Sequence, residues 1–170
     1  MRLFIASPVL LDNYDAIKED FKDIIEGTWV EEKNLHMTWV FLGEIPKAKS
    51  TIARMSSLTD LESEVQIAEL GYFGRPPKIF FARAEQKLLY EKARHLKEAG
   101  FDLYRFKPHI TLCRIKVIHD YKAYKEKMKE YREKKLGIIL PQISLYESKR
   151  TSKGLEYQSI YEVNTVSPSN

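Results

Sequence analysis

The segments LHMTWVFL at 35–42 and PHITLCRIKV at 108–117 decide how this chain folds. Both are rich in β-branched and aromatic residues, and Gly43 stops the first, so each reads as a strand. Both also carry histidine, any residue, threonine: His36 with Thr38, and His109 with Thr111. Side chains alternate along a strand, so each pair shares one face and presents an imidazole beside a hydroxyl.

Outward from these two strands the pattern mixes helix and strand. Residues 2–6 alternate around Leu3 and Ile5 and predict a short strand ended by Ser7-Pro8. Leu10, Tyr14, Ile17, Phe21, Ile24 and Ile25 recur at spacings of three and four, which predicts an amphipathic helix over 10–26 with Gly27 just past its end. Pro46 opens a predicted helix to about Leu61, and strands follow at 65–73 and 78–84 around the turn Gly74-Arg75-Pro76-Pro77. Helices are predicted over 85–99, ending at Gly100, and over 120–135, where Tyr121, Tyr124, Met128 and Tyr131 mark the buried stripe. Two last strands at 138–146 and 156–165 flank the turn at 151–154, and the tail 167–170 is expected to fray. Hairpins in the middle and at the end make the sheets largely antiparallel, so the class is α+β, and no linker divides residues 1–170 into separate domains.

The composition agrees with such a domain: 170 residues, 44% hydrophobic and 31% charged, with 7 Gly and 7 Pro, exclude disordered and fibrous architectures. The lone Cys113 cannot form an internal bridge, which points to a reducing compartment. The opening residues do not make a signal peptide, and no window approaches the roughly 20 apolar residues that cross a bilayer. A cytoplasmic protein without membrane contact is expected. The formal net charge of +4 suits an anionic ligand without demonstrating one. Much of the excess lies in the lysine-rich segment 122–135, a solvated helix face or, on a second reading, an RNA footprint.

Two imidazoles and two hydroxyls facing each other across a cleft suit in-line displacement at phosphorus. The attacking water loses a proton on one side, the departing oxygen gains one on the other, and the phosphoryl group between needs donors. The working form is then a mixed protonation state of the histidine pair. Arg114 could add a charged donor fork, but five places after His109 it has the wrong parity for the same face unless a bulge or twist intervenes. On alternation Cys113 shares the face of His109 and Thr111, as a small residue on the groove floor. His95 fits the C-terminal end of its helix, and His119 the turn before Asp120. Tyr72, Phe73, Phe80, Phe81 and Tyr104 are core residues or base-stacking candidates; Arg75 and Lys107 are candidates for backbone-phosphate contacts. Neither strand carries metal-ligand spacing and no Gly-rich phosphate loop appears, so no metal and no cofactor are expected.

The segments LHMTWVFLGE at 35–44 and KPHITLCR at 107–114 resemble the paired signatures of the 2H phosphoesterase superfamily. MRLFIASPV, FGRPPKIFFA and LYESKRTSKGLEY are similar to the branch of RNA 2′,3′-cyclic phosphodiesterases, historically 2′-5′ RNA ligases. The resemblance spans essentially the whole chain. It implies a bilobal, pseudo-two-fold α+β fold with a central groove, in which His36 and His109 transfer protons, Thr38 and Thr111 hold the phosphate, and Arg114 is an auxiliary phosphate contact. The implied reaction is metal-independent hydrolysis of a terminal 2′,3′-cyclic phosphate to a 2′-phosphomonoester, with ATP-independent formation and cleavage of 2′-5′ linkages as a weaker activity. The implied partners are RNA ends, single-stranded or tRNA-derived, met by a monomer with no obligate protein partner. Trp39 and Val40 depart from the commonest form of the first signature. A reading from another class is an RNA-end binding module that uses the lysine-rich helix and turns nothing over.

Overall fold

A computed structural model describes residues 1–163. The first strand, β1 (Arg2–Leu11), is its axis. Leu3, Phe4, Ile5 and Ala6 are all buried, because β1 has neighbours on both edges and cover on both faces. Along its first half it pairs antiparallel with β3 (His36–Glu44) and with β9 (Ser144–Thr151), which pairs in turn with β10 (Gly154–Glu162). Along its second half it pairs with β8 (Lys135–Ile139), which pairs with β4 (Val65–Ala68). A second antiparallel sheet runs in the order β2 (Ile25–Trp29), β7 (His109–Ile118), β6 (Ile79–Arg83), β5 (Leu70–Phe73).

Four helices cover these sheets. In α1 (Tyr14–Phe21) and α4 (Tyr121–Glu130), Phe21 and Tyr124 pack face to edge, and Phe21 meets Phe80 of β6 at 4.7 Å, so the two helices share the outer face of the second sheet. Asn13 and Asp120 cap them by accepting the amides of Ala16 and Ala123. Tyr90 of α3 (Lys87–Glu98) reaches β3 through Phe106, whose ring lies on Trp39 at 5.5 Å and 14°, and α2 (Lys49–Met55) is tied to the end of α3 by Arg54 donating to the Gly100 carbonyl. Among the described residues no helix is long and apolar enough to cross a membrane.

Several predicted boundaries move, each for a tertiary reason. β1 does not end at Pro8. The ring sits where β1 leaves β9 for β8, so the missing amide costs no ladder bond, and the Pro8 carbonyl still accepts from Leu140 at 2.9 Å. The helix expected over 10–26 is only α1. Ile25 pairs with Ile118 in β2, a strand the helical spacing concealed, and Gly27 lies inside that strand. The helix expected from Pro46 stops at Met55, because residues 57–61 are held by other partners: Lys92 donates to the carbonyls of Thr59 and Asp60, and Asp60 accepts the Ile143 amide. The strand over 65–73 breaks at Glu69, at φ 74°, where the chain passes from the first sheet to the second. The helix over 120–135 likewise gives way to β8 at Lys135, and the strand over 138–146 divides at Leu140-Pro141 into β8 and β9. Of the last predicted strand, Asn164 and Thr165 lie outside the described residues, as does the tail 167–170.

Candidate active site

His36 opens β3 and His109 opens β7, and the two strands lie side by side with no hydrogen-bonded ladder between them among the described residues. The two imidazoles are held alike. His36 Nδ1 lies 2.7 Å from the Asn34 carbonyl and His109 Nδ1 2.7 Å from the Lys107 carbonyl, each two residues upstream. A carbonyl oxygen only accepts, so Nδ1 carries the hydrogen in both rings and Nε2 is left with its lone pair when the ring is neutral. Each ring is also wedged between two aromatics: Phe4 at 5.1 Å and Tyr157 edge-on at 5.2 Å for His36, Phe81 at 5.2 Å and Phe73 edge-on at 4.9 Å for His109. Asn34 is itself buried and donates to the Leu155 carbonyl, which anchors the carbonyl that orients His36.

Burial is the main influence on both imidazoles and pushes both pKa values below the ordinary histidine range. The carbonyl bonds oppose the shift, and the His109 charge lowers His36 further. Protonating one makes protonating the other harder.

The same bulge occurs in both strands, just beyond each histidine and threonine. Opposite β3, Thr38 pairs with Ala6 and Val40 with Ile5, so Trp39 has no partner; opposite β7, Thr111 pairs with Phe81 and Cys113 with Phe80, so Leu112 has none. One extra residue reverses the alternation. Met37, Trp39 and Val40 are all buried, as are Ile110, Leu112 and Cys113, and the next residue in each strand, Phe41 or Arg114, returns to the face of the histidine and is exposed. The bulge is the condition on which Arg114 could share the histidine face, and it corrects the expectation that Cys113 does. Arg114 is on the site face, and Cys113 is not: its thiol points into the core near Tyr14 and Tyr124, and burial raises its pKa to about 11. The thiol is inert there.

A cavity of about 840 Å³ opens over the first sheet beside these strands; His36, Phe41, Arg114, Phe4 and Tyr157 line it, with Arg2 and Arg150 further along. Thr38, His109 and Thr111 are half-buried and lie outside that lining. Neither threonine hydroxyl is engaged by another group among the described residues, so both can donate to a ligand. Among the described residues no three His, Cys, Asp or Glu side chains converge as a cation site would require.

The remaining candidates separate cleanly. Phe73 and Phe81 flank His109, Phe80 is core, and Tyr72 sits against Tyr124 on the helix side of its sheet. Tyr104 is 77% exposed under the Arg105 guanidinium. Lys107 contributes its carbonyl to His109, and Arg75 is exposed in the β5–β6 turn, outside the cavity lining. His95 is exposed near the end of α3, and His119 pairs with Glu26 at 3.1 Å. The lysine-rich α4 packs on the face of the second sheet opposite His109, since Phe80 faces the helices and Phe81 the imidazole. Sequence reasoning missed Phe41, Tyr157, Arg2 and Arg150. Phe41 was findable, because it stands five places after His36 as Arg114 stands five after His109; the other three depend on strand register.

No family model matches the chain. It is 30% identical to an RNA 2′,3′-cyclic phosphodiesterase of Thermotoga maritima, over 95% of this chain and 94% of the relative. Among solved structures it resembles TT0787 of Thermus thermophilus, with a TM-score of 0.71, 24% identity and coverage of 96% of this chain and 97% of that one. It also resembles E. coli LigT in its apo form, at a TM-score of 0.69 and 19% identity, covering 96% of each.

Proposed function

The chain belongs to the RNA 2′,3′-cyclic phosphodiesterase family, and we propose that His36 and His109 serve as the general base and general acid that hydrolyse the cyclic phosphate at an RNA end. One imidazole takes a proton from water through Nε2 as the water oxygen bonds to phosphorus. The other gives its proton to the ribose 3′ oxygen as the P–O3′ bond breaks, and the product is a 2′-phosphomonoester with a free 3′ hydroxyl. The observation that carries this reading is the duplicated setting of the rings: the same carbonyl bond on Nδ1 leaves the same free Nε2 on each strand.

Burial alone favours two neutral rings, so the anionic substrate completes the working state by drawing a proton onto one of them. Thr38 and Thr111 donate to the non-bridging oxygens, whose charge grows in the transition state, and Arg114 adds a guanidinium on the same side. Phe41, 74% exposed, offers a stacking surface for a base of the substrate. By microscopic reversibility the same pair makes and breaks 2′-5′ linkages without ATP. We place residues 1–170 in a single two-lobed domain that works as a monomer, without an obligate protein partner, on single-stranded or tRNA-derived ends in the cytoplasm, where the Cys113 thiol stays reduced.

The test is an RNA oligonucleotide ending in a 2′,3′-cyclic phosphate, incubated with the protein. A 2′-phosphomonoester product is expected, with kcat/KM lowered about 10²–10⁴-fold by His36→Ala or His109→Ala. A 3′-phosphate product, or His→Ala variants as active as wild type, would overturn the assignment. A binding module working through α4 predicts that second outcome.

A further inference from the structure

Of the residues assigned to the reaction, only His36, Arg114 and Phe41 border the 840 Å³ cavity, and the rest of its lining runs away from the histidines across the first sheet. The cavity is far larger than one phosphoryl group requires. Register explains its shape. Arg2 and Phe4 share a face of β1, Ser148 and Arg150 a face of β9, and Tyr157 a face of β10, with Phe4 opposite Tyr146, Ser148 opposite Tyr157 and Arg150 opposite Leu155. The three strands therefore present one continuous surface leading out from His36.

That surface is cationic and uncommitted. Among the described residues none of Arg2, Arg114 and Arg150 is in an ion pair, and Glu44, the one carboxylate in the lining, is paired with the Met1 amino group at 3.3 Å. Arg2, Arg114 and Arg150 line this cavity together with Tyr157. Beside His109 the second sheet presents Phe73 and Phe81 instead, and Arg83 is laid over Phe81 and directed to Glu69.

We propose that Arg2 and Arg150 form a subsite for the phosphodiester upstream of the terminal nucleotide, so that the RNA body leaves the active site across the first sheet. The proposal rests on the phosphodiesterase reading above and deepens it. The preferred substrate is an oligonucleotide, and the recognition is independent of base sequence, because it contacts phosphate. A track of guanidiniums beside an exposed aromatic, here Phe41, is the arrangement by which proteins hold single strands.

The experiment compares kcat/KM for a 2′,3′-cyclic mononucleotide with that for a trinucleotide ending in the same cyclic phosphate, in wild type and in the Arg2→Gln/Arg150→Gln double variant. Wild type favours the trinucleotide, and the double variant reduces that preference about tenfold or more. The salt dependence of the trinucleotide reaction loses about 0.7 in log–log slope for the one phosphate released. Arg2→Lys/Arg150→Lys restores much of the preference, and a neutral methylphosphonate at the upstream linkage removes it in wild type without mutation. An unchanged preference in the double variant, or a methylphosphonate substrate as good as the natural one, overturns the subsite and leaves the phosphodiesterase reading intact. A wild type that turns over neither substrate overturns that reading, and the subsite with it.

Discussion

Where the hydrogen sits on each imidazole decides what that imidazole can do. A carbonyl on Nδ1 fixes the tautomer and the ring plane at once, so no orientational freedom is lost when substrate arrives. The same burial that rigidifies the rings depresses both pKa values below 6.5, which has a measurable consequence. The pH profile of kcat/KM reports the free enzyme, so its bell should centre below pH 6.5; the profile of kcat reports the complex, where the anionic phosphate favours the imidazolium, so its bell should move to higher pH. Superimposed profiles would mean that the phosphate does not bind between the rings.

At the scale of the element, the repeated bulge matters more than the repeated tetrapeptide. The histidine and threonine spacing was legible because strand alternation is a two-residue rule. The faces of the residues beyond the threonine were not, because one unpaired residue, Trp39 or Leu112, reverses that rule and leaves no mark in composition. Simple alternation for that reason puts Cys113 and Arg114 each on the other's face. The bulge in β7 also depends on its other neighbour. Gly27 passes so close that a Cβ there would meet the Arg114 carbonyl and lie 2.9 Å from Cys113 Sγ. Gly27→Ala therefore forces β2 and β7 apart beside the site. We expect a loss of about 1–3 kcal/mol in denaturant unfolding, the usual cost of overpacking, together with reduced kcat/KM. Unchanged stability would show that β7 yields freely at this point.

Across the whole molecule, one chain passes between two sheets, and the crossings are what local pattern could not show. β2 was hidden in a helical repeat because Ile25 satisfies that spacing while opening a strand, and Glu69 divides what reads as one strand over 65–73 because its two halves belong to different sheets. A contact that links the two histidine strands is equally non-local. Trp39 donates from Nε1 to Ser7 on β1 at 2.9 Å and stacks on Phe106, in the loop whose Lys107 carbonyl holds His109. Ser7→Ala leaves that buried indole N–H unpaired and should cost about 1–3 kcal/mol, read as a lower urea midpoint at unchanged m-value. The proposed reaction requires His36 and His109 to act as a proton-donating and proton-accepting pair. The most direct measurement is the pH–rate profile of cyclic-phosphate hydrolysis by His36→Ala and by His109→Ala, each in excess EDTA. A rate about 10²–10⁴-fold below wild type is expected in both, with the acid limb lost in the variant lacking the base and the alkaline limb lost in the other. A complete bell in both variants, or a wild type halted by the chelator, would contradict it.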